Sequence, residues 1–183
     1  MTYYGAKDLA ESMRTVRKNT LIIAEEIPED RYSFRAAPDT RTVAQLLTHI
    51  AVVPRLPEQI HATERRTTLE GFDFPGVFQG IMAEEQKPRT KAQILALLRD
   101  EGERFAKWLE SQPDDFLGEQ VKYPAGMTPA VKTRFEMLLG AKEHEMHHRG
   151  QLMLIERMLG IVPHLTRQMQ ERMAATANAT ASS

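Results

Sequence analysis

The sequence predicts an all-α four-helix bundle with irregular connections and a disordered C-terminal tail. Three observations carry that prediction. Apolar residues recur at helical spacing in four long segments. Capping residues and prolines punctuate the ends of those segments. No stretch alternates apolar and polar residues for long enough to build a sheet, and nothing repeats at a solenoid period.

The first helix is expected over Ala6–Glu26, with Leu9, Met13, Val16, Thr20, Ile23 and Ile27 as its inward stripe and Pro28 as its stop. The second follows the loop PEDRYSFRAAPDT, with Asp39 or Thr40 as its cap. It carries Val43, Leu46, Leu47, His49, Ile50, Val52 and Val53 before meeting Pro54 and Pro57. A proline inside a helix removes one backbone bond and clashes with the preceding turn, so a kink or break is expected just after the turn of His49. Residues 70–88, including EGFDFPGVFQG, read as a long connection with a short helical turn. Connections that long in one domain are often functional.

The third helix opens on a capping-box pattern, Thr90 with Gln93, and continues through Ile94, Leu97, Leu98, Phe105, Trp108 and Leu109 to Pro113. The stretch PDDFLGEQVKYPAGM is irregular, with a short strand around residues 120–123. The fourth helix takes Thr128 as cap and Pro129 at its first position, and runs for about 30 residues to Gly160. Beyond Pro163, PHLTRQMQERM reads as a further short helix and AATANATASS as a small, polar, disordered tail. The chain thus divides into a bundle domain, residues 1–165, and a short helix with flexible tail, residues 166–183.

At 183 residues one domain with a full core is expected. The net charge of −1 offers no basic field for nucleic acid. The absence of cysteine excludes disulfides, thiolate ligands and a cysteine nucleophile, and fits a reducing cytoplasm. The first twenty residues lack an apolar signal core, and no apolar run reaches membrane-spanning length. A cytoplasmic protein without membrane or nucleic-acid partners is the expectation.

The segment GAKEHEMHHRGQL concentrates metal-binding side chains, with His144, His147 and His148 beside Glu143 and Glu145. At 100° per residue, Met137, Ala141, His144, His148, Leu152, Ile155 and Leu159 share one line. His144 and His148, four apart, therefore meet on an inward face, roughly 5–6 Å apart at Cβ. His147 falls on the shoulder. Two buried imidazoles need polar partners, and hydrogen bonds to other helices would serve an arbitrary HxxxH pair. Metal binding becomes the better reading when a third ligand arrives, and His49, on a mainly apolar stripe of the second helix, is that residue. Three inward histidines match the protein ligands of an open zinc-type site that keeps a position for water or substrate. Imidazole suits nickel, iron and copper as well, so ligand type does not choose the metal.

Glu145, about 60° from His148, is a candidate for a general base or an outer partner of the ligands, with a solvated shoulder carboxylate as the plainer reading. Gln45 and Gln151 are placed to orient imidazoles, and Arg149 to pair with Glu145 or Glu156. His61, about 18 Å beyond His49 along a straight helix, is excluded as a ligand, and His164 is expected at the surface. The opposite side of the last helix carries Phe135, Leu139, Met146 and Met153, a second apolar face that reads as a homodimer contact or as packing under the Phe-rich loop or the tail.

His49 within LLTHI, together with HEMHHRGQL and the following GIVP, resembles the DinB-like family of bacterial damage-inducible proteins, over essentially the whole chain to about Pro163. The resemblance implies a four-helix bundle whose metal is held by three histidines near one end, here His49, His144 and His148. It also implies a homodimer and a divalent ion: zinc or nickel first, manganese or iron next. Relatives include enzymes that use low-molecular-weight thiols, among them bacillithiol S-transferases and mycothiol-dependent maleylpyruvate isomerase. The implied function is a metal-dependent thiol S-transferase or isomerase with a small-molecule substrate. A non-catalytic metal-binding stress-response protein is the alternative, and a helical dimer with hydrogen-bonded core histidines the plainest reading.

Overall fold

Each of the first five long helices begins where a side chain takes up backbone N–H groups that the first turn leaves unpaired. The computed structural model describes residues 4–181. Helix α1 spans Ala6–Glu26, as its apolar stripe predicts, and the Asp8 carboxylate accepts from the Gly5 N–H at 2.9 Å. Helix α2 spans Val43–Val52. Its cap is Thr42, not Asp39 or Thr40: Thr42 Oγ1 accepts from the Gln45 N–H at 3.1 Å while Gln45 Oε1 accepts from the Thr42 N–H at 3.0 Å. That reciprocal box takes up two donors where a lone cap takes up one, and Thr40 instead closes a turn onto the Ala37 carbonyl at 2.8 Å.

The expected break after His49 falls at Val53–Pro54. The Val53 N–H still donates to the His49 carbonyl at 3.0 Å, and Pro54 then caps a single turn, α3 (Arg55–Glu58). A proline at that point sacrifices no helical bond. A π-helical turn, Gln59–Thr63, follows.

Residues 70–88 are not mainly an irregular connection. They hold a 13-residue helix, α4 (Phe74–Gln86), capped by Asp73, whose Oδ1 accepts from the Gly76 N–H at 2.9 Å. Asp73 followed by Pro75 in the first turn is a start signal that the run of Gly and Phe obscures. Helix α5 (Lys91–Glu110) keeps its predicted Thr90–Gln93 box. A short α6 (Asp114–Gly118) leads to strand β1 (Gln120–Lys122), which pairs antiparallel with β2 (Val131–Thr133), Val121 opposite Lys132. The last long helix, α7 (Arg134–Met158), therefore starts later than the Thr128–Pro129 pattern predicts. Thr133 and Glu136 form its capping box, at 3.2 and 2.8 Å, and residues 131–133 are taken by the hairpin.

Helices α1, α2, α5 and α7 make the bundle: α1 and α2 each pack against both α5 and α7, and α4 lies against α2. The core between the bundle helices is split in two, and a smaller third cluster lies outside them. Ile23, Leu47, Ile50, Leu98 and Leu152 belong to one apolar cluster, and Leu9, Met13, Phe105, Leu109 and Leu138 to the other. Between them lies a buried polar layer. Arg17 Nε donates to Glu145 Oε1 at 2.9 Å, Arg17 Nη1 to the Leu98 carbonyl at 2.5 Å, and Arg17 Nη2 to the Ile50 carbonyl at 3.2 Å. One guanidinium thus bonds to all three of the other bundle helices. Gly102 on α5 gives it room, since a Cβ there would lie 2.7 Å from Arg17 Nη1.

Helix α8 spans His164–Ala181, longer than the short helix expected, and the segment read as a flexible tail is helical as far as Ala181. Alanine, the strongest helix former, recurs through it. Ser182 and Ser183 lie outside the described residues. His164 is buried, not at the surface, with Nε2 3.2 Å from Asn19 Oδ1, and Arg167 pairs with Glu26.

Under this junction, Glu156 is fully buried and neither carboxylate oxygen has a hydrogen-bond partner among the described residues. Burial, then the nearby Glu26, pushes its pKa from 4.5 up to about 7, against the opposing Arg167 and Arg157. A carboxyl whose folded pKa is raised adds no penalty below its unfolded value and destabilises the fold as pH rises from there through about 7. Glu156→Gln should therefore be more stable than the parent at pH 8, by about 2 kcal/mol, with the gap shrinking at pH 5. Urea unfolding of both proteins at the two pH values checks this.

Candidate metal centre

His49 is carried by α2, and His144 and His148 by α7, one turn apart. Their inward placement follows from their lines: His49 neighbours the core residues Ile50 and Val52, and His148 shares its line with Leu152 and Ile155. His144 Nε2 lies 3.1 Å from His49 Nε2 and 3.1 Å from His148 Nε2. The three ligand atoms lie within 4.8 Å of one another. The structure thus brings together all three histidines expected as ligands. A tetrahedral ion with bonds of about 2.0–2.1 Å sets its nitrogens roughly 3.3 Å apart, and two of the three spacings here are close to that.

Protonation supports the same reading. His49 Nδ1 lies 2.8 Å from Glu85 Oε1, an acceptor, so the ring proton sits on Nδ1 and Nε2 presents a lone pair. His148 Nδ1 lies 2.8 Å from Gln151 Oε1 and is fixed in the same way. Two lone pairs therefore face His144 Nε2, whose single hydrogen can serve only one of them well. A cation at the meeting point satisfies all three. Burial, above all, pushes the three imidazoles below the ordinary 6.5, His144 to about 4. They are neutral near pH 7, the form that ligates.

Glu85, on α4, is the functional residue that sequence reasoning missed. It is 7% exposed and is itself held by Arg41, whose Nε donates to Glu85 Oε2 at 2.6 Å. Carboxylate–histidine pairs of this kind fix ring orientation and raise ligand basicity. Glu85→Gln should lower metal affinity by about 10–100-fold without unfolding the chain, measured by titration against a competing chelator.

The other predicted positions sort clearly. Gln151 orients an imidazole as expected, and its Nε2 lies 3.2 Å from His147 Nε2, which keeps His147 outside the group. Gln45 does not orient an imidazole: its side chain caps α2 and reaches Gln86 at 3.2 Å. Glu145 is no general base here. It is 2% exposed and spent on Arg17 and on Thr20 Oγ1, which donates at 2.8 Å. Neither expected pair of Arg149 with Glu145 or Glu156 forms among the described residues. His61 is buried against Arg134, apart from the three ligands. Phe135 and Leu139 pack on the cluster that holds Leu9 and Phe105, and Met153 on the one that holds Ile23 and Leu47, which leaves Met146 exposed from that second apolar face.

On the His148 side the group opens into a cleft of about 710 Å³ lined by Arg35, Arg41, Gln45, Glu85 and Gln151. Among the described residues no helix is long and apolar enough to cross a membrane.

A helical bundle that gathers three imidazoles from two of its helices, at ligand spacing and with outer hydrogen-bond partners, defines a class of bundle proteins with a three-histidine centre. Within it, the sequence profile of the DinB superfamily matches residues 12–152, and the chain belongs to that superfamily. The fold is shared with a DinB-like protein from Bacillus subtilis at TM-score 0.60 and 22% identity, over 83% of this chain and 92% of that one. A DinB-like protein from Bacillus cereus aligns at TM-score 0.62 and 19% identity, over 88% and 97% of the two chains. YfiT from Bacillus subtilis, described as a probable metal-dependent hydrolase with an unusual four-helix bundle topology, aligns at TM-score 0.63 and 16% identity, over 85% and 88%. No curated protein matches the chain.

Proposed function

We propose that this protein is a metal-dependent enzyme of the thiol S-transferase or isomerase type, with a divalent ion, zinc or nickel first, held by His49, His144 and His148. The observation that carries the reading is the convergence of three imidazole nitrogens, 3.1 Å apart in two pairs, beside an open cleft. Three protein ligands leave a coordination position free. When bound, the ion supplies a Lewis acid that favours the deprotonated form of a thiol or water. The chain has no cysteine, so a thiol nucleophile is a small-molecule co-substrate. Arg35 gives the cleft a cationic group for an anionic one, Arg41 being paired with Glu85. Glu85 and Gln151 hold the rings in the ligating tautomer while substrate enters.

The test is turnover with a panel of low-molecular-weight thiols and electrophiles, at confirmed metal occupancy. Product formation that needs both metal and thiol is expected. Metal without turnover leaves the non-catalytic metal-binding protein. A second reading, a hydrolase, draws on the description of YfiT, and would show as ester or amide cleavage with metal and no thiol.

A cytoplasmic homodimer completes the proposal. Leu154, Met158 and Val162 near the end of α7, with Met169 and Met173 on α8, are each about half exposed or more and supply an apolar face for a second copy. Sedimentation of the full chain, with Leu154→Lys/Met158→Lys as the disrupting variant, decides it.

A further inference from the structure

The three histidines lie between two cavities of different character. One is the cleft at His148, where charged and polar side chains stand beside Leu46, Leu154 and Ile155. The other is a chamber of about 370 Å³ that ends at His144, with Leu69, Phe74, Tyr123, Met127 and Met137 among its walls. Its size falls within the range of small-molecule sites. Most of its walls come from outside the bundle: the π-helical turn, α4 and the β1–β2 hairpin close over the side of α7 that carries His144.

We infer that this chamber is a binding site for a neutral, apolar, ring-sized substrate, which it delivers to the metal centre from the His144 side. The walls carry no net charge. Lys132 and Glu136, of opposite sign, both line the site. His61 is uncharged: Arg134 Nη1, a donor only, lies 2.8 Å from His61 Nδ1, which must therefore accept, and burial lowers the ring's pKa to about 3. Arg134 itself is neutralised by Glu119 at 2.8 Å. A charged ligand would lose its hydration against walls that are mainly apolar. The Tyr123 hydroxyl, which bonds to no described residue, is the polar handle. The apolar partner would thus enter at His144 and the anionic one at His148, so the two meet only across the metal position. The delivery step rests on the proposed catalytic reading; occupancy of the chamber does not.

Gly140 provides the test, because it is a helical glycine lining the chamber and a Cβ added there meets nothing within 4 Å. N-phenyl-1-naphthylamine, a neutral fluorophore that brightens in apolar surroundings, is titrated into the full chain with and without nickel. Saturable binding is expected, weakened tenfold or more by Gly140→Leu and unchanged by Met169→Lys/Met173→Lys on α8. Met127→Asp, at a side chain 49% exposed and so of little consequence for folding, should weaken it as well. No binding by the parent, equal binding by both chamber variants, or loss in the α8 variant overturns the inference. Failure of nickel to bind any of these proteins would instead overturn the three-histidine reading while leaving the chamber result intact.

Discussion

Replacing His144 with alanine is expected to abolish tight metal binding while leaving the helical content unchanged. His144 Nε2 is the middle atom of the group, 3.1 Å from each of the other two, so its loss removes one ligand and separates the remaining pair. The fall in affinity should exceed the roughly 100-fold upper range for an outer partner such as Glu85. His49→Ala and His148→Ala should behave alike, whereas His147→Ala, outside the group, should bind as the parent does. Metal analysis of tag-free protein and chelator competition give the ranking. Equal affinity for His144→Ala and the parent would end the three-histidine reading. The fold should survive, because His144 lies outside both main apolar clusters.

Arg17→Met is expected to destabilise the fold by about 3–5 kcal/mol, the usual consequence of leaving one member of a buried ion pair alone. Glu145 is 2% exposed, and without Arg17 it keeps only the Thr20 hydroxyl as a strong partner. The Leu98 and Ile50 carbonyls lose a donor as well. The double variant Arg17→Met/Glu145→Met should recover much of the loss, since apolar replacements for a buried pair are often neutral or better. Urea unfolding of the parent, both single variants and the double variant gives the coupling between the two side chains. Because Glu145 adjoins His144 on α7, the same layer fixes the rotation that turns His144 and His148 toward His49. The single variant should therefore also bind metal more weakly than the double one.

Local chemistry explains which elements are legible in advance. α1 and α5 show their boundaries because apolar stripe and start signal coincide at each. α4 is hidden because Gly and Phe in its first turns lower the contrast between its faces, although Asp73 and Pro75 mark its start. The onset of α7 is ambiguous in the sequence because Thr128–Pro129 and Thr133–Glu136 are both valid start patterns. Pairing of residues 131–133 with β1 decides between them, and that pairing is not local. The tail has a small, polar composition that suggests disorder, while its alanines favour helix.

The sequence by itself determined the bundle and singled out three candidate ligands, because helical periodicity fixes which side of a helix a histidine faces and His49, His144 and His148 each fall on a mainly apolar line. Only the tertiary structure decided what surrounds those ligands. Glu85 reaches His49 from 36 positions away and Arg17 claims Glu145 from 128, and contacts across such separations leave no periodic trace in the chain. The roles of both carboxylates, and the walls of the chamber at His144, follow from packing between elements that sequence alone does not bring together.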